Sequence, residues 1–163
     1  MKKTGYIKIN GKRFICKEGR TILEIARENK IEIPTLCYHP DLDKKATCRV
    51  CVVEIKNKKG LFTACSTKAE AGMEILTESL KIKRARKVNL ELIISQHCEG
   101  CSDCRQNLRC TLREYALKYD IDFSKFKDRK IGYPVMQFGP SVVFDSSKCI
   151  NCRNCVEVCS KQT

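Results

Sequence analysis

The stretch IPTLCYHPDLDKKATCRVCVVEI, residues 33–55, runs from an irregular loop opened by Pro34 straight into an apolar segment, with three cysteines on the way. Proline breaks regular structure at its start, whereas CVVEI at 51–55 has the β-branched content of a strand. The next β-type run, LFTAC at 61–65, ends in a fourth cysteine, so the spacing is Cys37-x10-Cys48-x2-Cys51-x13-Cys65. The Cys48/Cys51 pair can bind from one turn while Cys37 and Cys65 approach from either side. Four thiolates converging from a loop and a neighbouring strand are what a [2Fe–2S] cluster requires. Zinc is the competing occupant, since any four cysteines can hold it. Zinc sites usually come as two Cys-x2-Cys knuckles, however, and here there is one pair with two outliers.

Working outward, YIKI (6–9) and RFIC (13–16) are β-type runs joined through Asn10-Gly11, a strong hairpin signal. TILEIARENK follows, with Thr21 and Glu24 at capping-box spacing and Ile22, Ile25 and Ala26 on one helical face. After the loop, MEILT (73–77) reads as a third later strand beside 51–55 and 61–65. Two strands, a helix, a long loop and further strands are the order of a β-grasp domain. The expected class is therefore α+β, with a β-grasp domain over residues 1–78.

From Leu80 the period becomes helical, with Ile82, Ala85, Val88 and Leu92 expected on the packed face. This helix is expected to end near Gln96 and to deliver the run HCEGCSDCRQNLRC, residues 97–110. That run contains five candidate ligands, and a four-iron cluster needs four, so the spacing alone leaves either His97 or Cys98 surplus. Leu108, Leu112, Tyr115 and Tyr119 suggest a second helix, which gives a small helical module over 79–120. Residues 121–140, with weak periodicity and Gly132, Pro134, Gly139 and Pro140, read as a linker before a last segment, 141–163. That segment carries Cys149-x2-Cys152-x2-Cys155-x3-Cys159, the bacterial ferredoxin run.

The four-iron run after NLELIISQH resembles a module ligated by one histidine and three cysteines. It occurs in [FeFe]-hydrogenases and in the large iron–sulfur subunit of respiratory complex I (NADH dehydrogenase). CRVCVVEI, TACST, GMEILTES and CTLREYA stand at the offsets that family uses, so the resemblance covers essentially the whole chain. On the hydrogenase side it resembles the N-terminal iron–sulfur region of the NAD(P)-linked, multisubunit type. The first domain resembles a plant-type ferredoxin, although the plant-type first spacing is Cys-x4-Cys. The resemblance implies a [2Fe–2S] cluster on Cys37, Cys48, Cys51 and Cys65. It also implies a [4Fe–4S] cluster on His97, Cys101, Cys104 and Cys110, with Cys98 outside the ligand set.

In the bacterial ferredoxin run the first three cysteines bind one four-iron cluster and the fourth binds another. Cys149, Cys152 and Cys155 are thus three ligands of a further [4Fe–4S] cluster, and Cys159 belongs to a different one. Ser160 stands where the motif usually has proline, and no second run follows, so the sequence looks cut within a two-cluster ferredoxin domain. In these 163 residues alone the segment is expected to be disordered or poorly occupied. Cys16 reads as a small core residue, and His39 as an exposed loop residue or one hydrogen-bonding near the cluster.

The formal charge is +13, and bound clusters would lower it to about +10. A basic surface suits an acidic protein partner, such as an acidic ferredoxin, or a nucleic acid. A basic zinc module on nucleic acid accounts for the charge but not for the long cysteine spacings or His97. An assembly domain with purely structural clusters is a further alternative. The first ten residues, MKKTGYIKIN, have no apolar core or cleavage site of a secretory signal. No apolar run approaches the ~20 residues of a membrane helix, which points to a cytoplasmic protein with thiolates on metal. No glycine pattern forms a nucleotide loop, and the cysteine motifs of a hydrogen-activating centre are absent. The chain is expected to turn over no substrate itself. It is expected to relay single electrons from a flavin-bearing NAD(P)H-oxidising iron–sulfur subunit to a terminal redox enzyme of hydrogenase or formate dehydrogenase type, within a hetero-oligomeric complex.

Overall fold

The computed structural model describes residues 5–97, 101, 104, 107–127 and 134–162. The fold divides into two compact units, Met1–Arg86 with Arg153–Thr163, and Lys87–Cys152.

In the first unit, β1 (Gly5–Ile9) and β2 (Lys12–Cys16) form an antiparallel hairpin with Ile9 opposite Lys12. Its two-residue turn puts Asn10 at φ 51° and Gly11 at φ 82°, the left-handed pair that matches the twist of the flanking strands. Helix α1 (Ile22–Glu28) follows. Its capping box forms as the sequence requires: Glu24 N donates to Thr21 Oγ1 (3.3 Å), and Thr21 N to Glu24 Oε2 (2.8 Å). Such a cap stabilises by about 1 kcal/mol. The helix stops where Lys30 turns left-handed (φ 58°).

β3 (Val52–Ile55), β4 (Phe62–Thr63) and β5 (Glu74–Leu76) complete a mixed five-stranded sheet in the order β2-β1-β5-β3-β4, with β1 and β5 parallel. Alternation sends Ile7, Ile9, Val53, Ile55 and Ile75 into one core with Ile22, Leu23, Ile25 and Ala26 of α1. Cys16 belongs to this core, its Sγ 3.4 Å from Ala69 O. Burial, and after it the charge of Glu70, holds its thiol above the ordinary range.

Helix α2 (Leu80–Ile94) forms where expected, but its packed face differs. Ile82, Arg86, Leu90, Glu91 and Ile94 are buried, while Val88 and Leu92 are 38% and 45% exposed. The reason is electrostatic: two charged residues on the buried face have partners. Arg86 meets Glu78 and two carbonyls in the first unit. Glu91 meets Lys125 at 2.5 Å in the second. An apolar period passes over such positions.

In the second unit, α3 (Thr111–Lys118) buries Leu112 and Ala116, and Ile121 is buried just beyond it. Leu108, expected on its packed face, is 92% exposed in a preceding 3-10 turn, Asn107–Arg109. Part of the expected linker is ordered. β6 (Met136–Phe138) pairs with β7 (Val142–Phe144) around Gly139, at φ 64°. The Gly139-Pro140 breaker is thus a hairpin turn; residues 128–133 lie outside the described set.

The expectation of disorder at the end of the chain is likewise corrected. α4 (Asn154–Gln162) is a formed helix held by ion pairs within the first unit. Buried Glu157 meets Lys45 at 3.3 Å, and Lys161 reaches Asp43 (3.4 Å) and the carbonyl of Asp41 (2.9 Å).

Candidate iron–sulfur sites

The loop between α1 and β3 carries Cys37, Cys48 and Cys51, and sheet pairing brings Cys65 to it. Val52 lies opposite Thr63, and Ala64 N donates to Cys51 O (3.0 Å), so Cys51 and Cys65 meet at the open end of β3 and β4. Leu23 N donates to Ala64 O (2.9 Å), which ties this end to α1. Lys44 reaches from the loop to Glu24 of the capping box at 2.5 Å.

The four thiols come together as two pairs. The sulfurs of Cys37 and Cys48 are 3.3 Å apart, and Cys51 and Cys65 share a hydrogen bond. Cys37, Cys51 and Cys65 are buried and Cys48 is partly so. The hydrogen bond with Cys48, then backbone and hydroxyl donation from Cys48 and Thr47, brings the Cys37 thiol down to about 5 despite burial. Its partner Cys48 is pushed up, first by that same bond and then by burial. In the second pair Cys51 falls to about 7 through its bond with Cys65, and Cys65 is pushed up by the same bond. One thiolate per pair is thus stabilised before any metal binds.

Ala46 and Arg49, either side of Cys48, are left-handed (φ 53° and 51°). A non-glycine residue there costs of order 1–3 kcal/mol and persists only when the surrounding structure over-determines it. Backbone groups of Leu36 and Val50 act on Cys48 as those of Thr47 and Cys48 act on Cys37, each lowering the thiol it meets. Backbone hydrogen bonds to a sulfur favour its anionic form. Among the described residues, no three Cys, His, Asp or Glu side chains form a site for a single ion. His39 stays exposed in the same loop, accepting from Asp41 N at 3.3 Å.

The second set occupies the turn between α2 and α3. α2 ends at Ile94, and His97 N donates to Ile94 O (2.9 Å), which carries the imidazole just past the helix end. Cys110 is the N-cap residue of α3, with its side chain free of any capping bond. It therefore stands at the positive end of the helix, where negative charge is favoured. Cys101 and Cys104 are half-buried thiols between them, and Cys98 lies outside the described residues.

In the third run, Cys149 ends a 3-10 turn, and its Sγ accepts from Asn151 N at 3.4 Å. Asn151 and Arg153 are left-handed (φ 55° and 63°), so left-handed residues flank Cys152 as they flank Cys48. Cys155 and Cys159 are exposed on α4, one turn apart. The sequence reading missed Thr47, Arg86 and the left-handed residues; only the polar positions at i and i+4 spacing from Ile82 and Leu90 hinted at Arg86.

Comparison with known proteins matches three stretches of the chain to iron–sulfur binding regions. Residues 4–79 match a 2Fe-2S iron-sulfur cluster binding domain. Residues 86–125 match the NADH-ubiquinone oxidoreductase-G iron-sulfur binding region, and 142–160 a 4Fe-4S binding domain. The chain thus carries binding domains for [2Fe–2S] and [4Fe–4S] clusters, and it is similar to subunits of an NADP-reducing hydrogenase and of NADH-ubiquinone oxidoreductase.

Among its relatives is the NADP-reducing hydrogenase subunit HndD of Solidesulfovibrio fructosivorans, 36% identical over 94% of this chain and 27% of that protein. The NADH-ubiquinone oxidoreductase 75 kDa subunit of Reclinomonas americana is 32% identical over 91% of this chain and 21% of that protein. A solved NAD+-reducing [NiFe]-hydrogenase in the H2-reduced state contains a chain of like fold. The TM-score is 0.87 and the identity 25%, over 97% of this chain and 67% of that one. The chain thus spans 27% and 21% of the lengths of these two curated relatives. Among the described residues, no helix is long and apolar enough to cross a membrane.

Proposed function

We propose that the chain is an electron wire whose first relay is a [2Fe–2S] cluster on Cys37, Cys48, Cys51 and Cys65 in a β-grasp domain, residues 1–78. The observation that carries this reading is the grouping of those cysteines as two thiol pairs, with backbone groups hydrogen-bonded to their sulfurs. Each pair would hold one iron, and backbone hydrogen bonds to the sulfurs would offset the negative charge of the cluster. The second relay is a [4Fe–4S] cluster on His97, Cys101, Cys104 and Cys110 in the module at 79–120. Cys149, Cys152 and Cys155 are ligands of a further four-iron cluster, and Cys159 of another. The hairpin at 136–144 then belongs with the last segment and shortens the linker.

The clusters supply one-electron chemistry; the protein fixes their positions and tunes their potentials. The electron donor is a flavin-bearing, NAD(P)H-oxidising subunit, and the acceptor a terminal enzyme of hydrogenase or formate dehydrogenase type, in a cytoplasmic hetero-oligomeric complex. The net charge of +13 supports acidic docking partners.

Metal and sulfide analysis tests the cofactor assignment. Protein purified without air is expected to be brown, with about six irons per chain, counted from one two-iron and one four-iron cluster. A colourless protein with stoichiometric zinc and no labile sulfide would contradict it, and about ten irons would show that the third run fills within this chain.

A further inference from the structure

Arg86 is wholly buried, with 0% of its side chain exposed. It lies in the unit that contains the first cysteine set. Its Nη2 donates to the carbonyl oxygens of Val52 and Thr77, both at 2.9 Å, and its Nη1 to Glu78 Oε1 at 2.8 Å. Val52 opens β3 directly after Cys51, and Thr77 follows β5. The guanidinium therefore fastens two adjacent strand ends, one of them continuous with a cysteine of the site. A buried charge is costly to keep, and its partners must offset a penalty of several kcal/mol. Here the negative partner does not share the burial, since the Glu78 side chain is 52% exposed. The positive end of the pair sits inside, bonded to the residue after Cys51, while the negative end reaches the surface.

We propose that Arg86 is a positioning residue for the two-iron site, fixing the backbone next to Cys51 and adding a buried positive charge that raises the cluster's potential. The proposal rests on the ligand reading given above. Reduction adds one negative charge to a cluster, so a fixed cation in a poorly screened interior favours the reduced form. An arginine that served packing alone would hold the same strand ends with no effect of its charge on potential. Glu78 separates the two roles, because it alters the charge balance from the exposed end of the pair.

The test is a potentiometric titration of the full chain, purified without air, with the two-iron signal followed by electron paramagnetic resonance. Arg86→Met is expected to lower the two-iron potential or lose that cluster. Arg86→Lys keeps the charge but not the planar fork that reaches several acceptors at once, so the potential is expected to recover towards that of the unaltered chain. Glu78→Gln removes a negative charge and is expected to raise the potential, and it decides the matter if Arg86→Met does not fold. Full loading and an unchanged potential in Arg86→Met would overturn the proposal, as would a Glu78→Gln potential that stays put or falls. If the unaltered chain gives no two-iron signal, the ligand reading fails and takes the proposal with it. A normal signal with unmoved variants overturns the role of Arg86 alone.

Discussion

Cys48→Ala is expected to abolish the two-iron signal in electron paramagnetic resonance and to leave a four-iron signal in place. Cys48 is the closest partner of Cys37, at 3.3 Å between sulfurs, and amides of Leu36 and Val50 act on its thiol. Its removal leaves one of the two pairs with a single sulfur. It also removes the hydrogen bond that does most to lower the Cys37 thiol. The loop has no substitute nearby, since His39 is exposed and Cys16 is in the core, bonded to Ala69 O. The expected loss is therefore complete. The proposed four-iron ligands, His97 to Cys110, belong to the other compact unit, so their cluster should assemble as before. A two-iron signal that survives in Cys48→Ala would count against this quartet.

His97→Ala and Cys98→Ala are expected to behave oppositely. The end of α2 carries His97, where Ile94 is buried and its carbonyl accepts from His97 N, so packing fixes the backbone from which the imidazole projects. Cys110 is fixed from the other side as the N-cap of α3. Cys98→Ala should keep the four-iron cluster and its spectrum. His97→Ala should lose the cluster or recruit Cys98 in its place. A thiolate there would add one negative charge relative to a neutral imidazole and lower the potential, the reverse of the rise seen when histidine replaces cysteine in Rieske centres. The opposite pattern, with Cys98→Ala losing the cluster and His97→Ala keeping it unchanged, would assign the ligand to Cys98.

What the sequence made legible follows from how local each rule is. Asn10-Gly11 and the Thr21/Glu24 cap act within four residues, and both form as read. The approach of the cysteine loop to a neighbouring strand was legible because Cys51 and Cys65 each adjoin a β-type run. The packed face of α2 was not, because Arg86 and Glu91 are buried by partners distant in sequence, at Val52 and Lys125. The ion pairs of Glu157 and Lys161 with the 41–45 loop depend on tertiary placement in the same way, so nothing local in the sequence announces α4 as a formed helix. Gly139 and Pro140 are as compatible with a linker as with the hairpin turn they make, and only strand pairing separates the two. In the site, the left-handed Ala46 and Arg49 carry no sequence signature, as neither is a residue that favours that conformation.

The central claim is that the clusters carry electrons. It is tested most directly by titrating the full, anaerobically purified chain with a reductant and then an oxidant while recording its paramagnetic signals. The two-iron and four-iron signals are expected to appear and disappear reversibly, each at its own potential and without loss of iron. Clusters that stay in one oxidation state across the range, or that break down on the first reduction, would contradict the account and leave them a structural role.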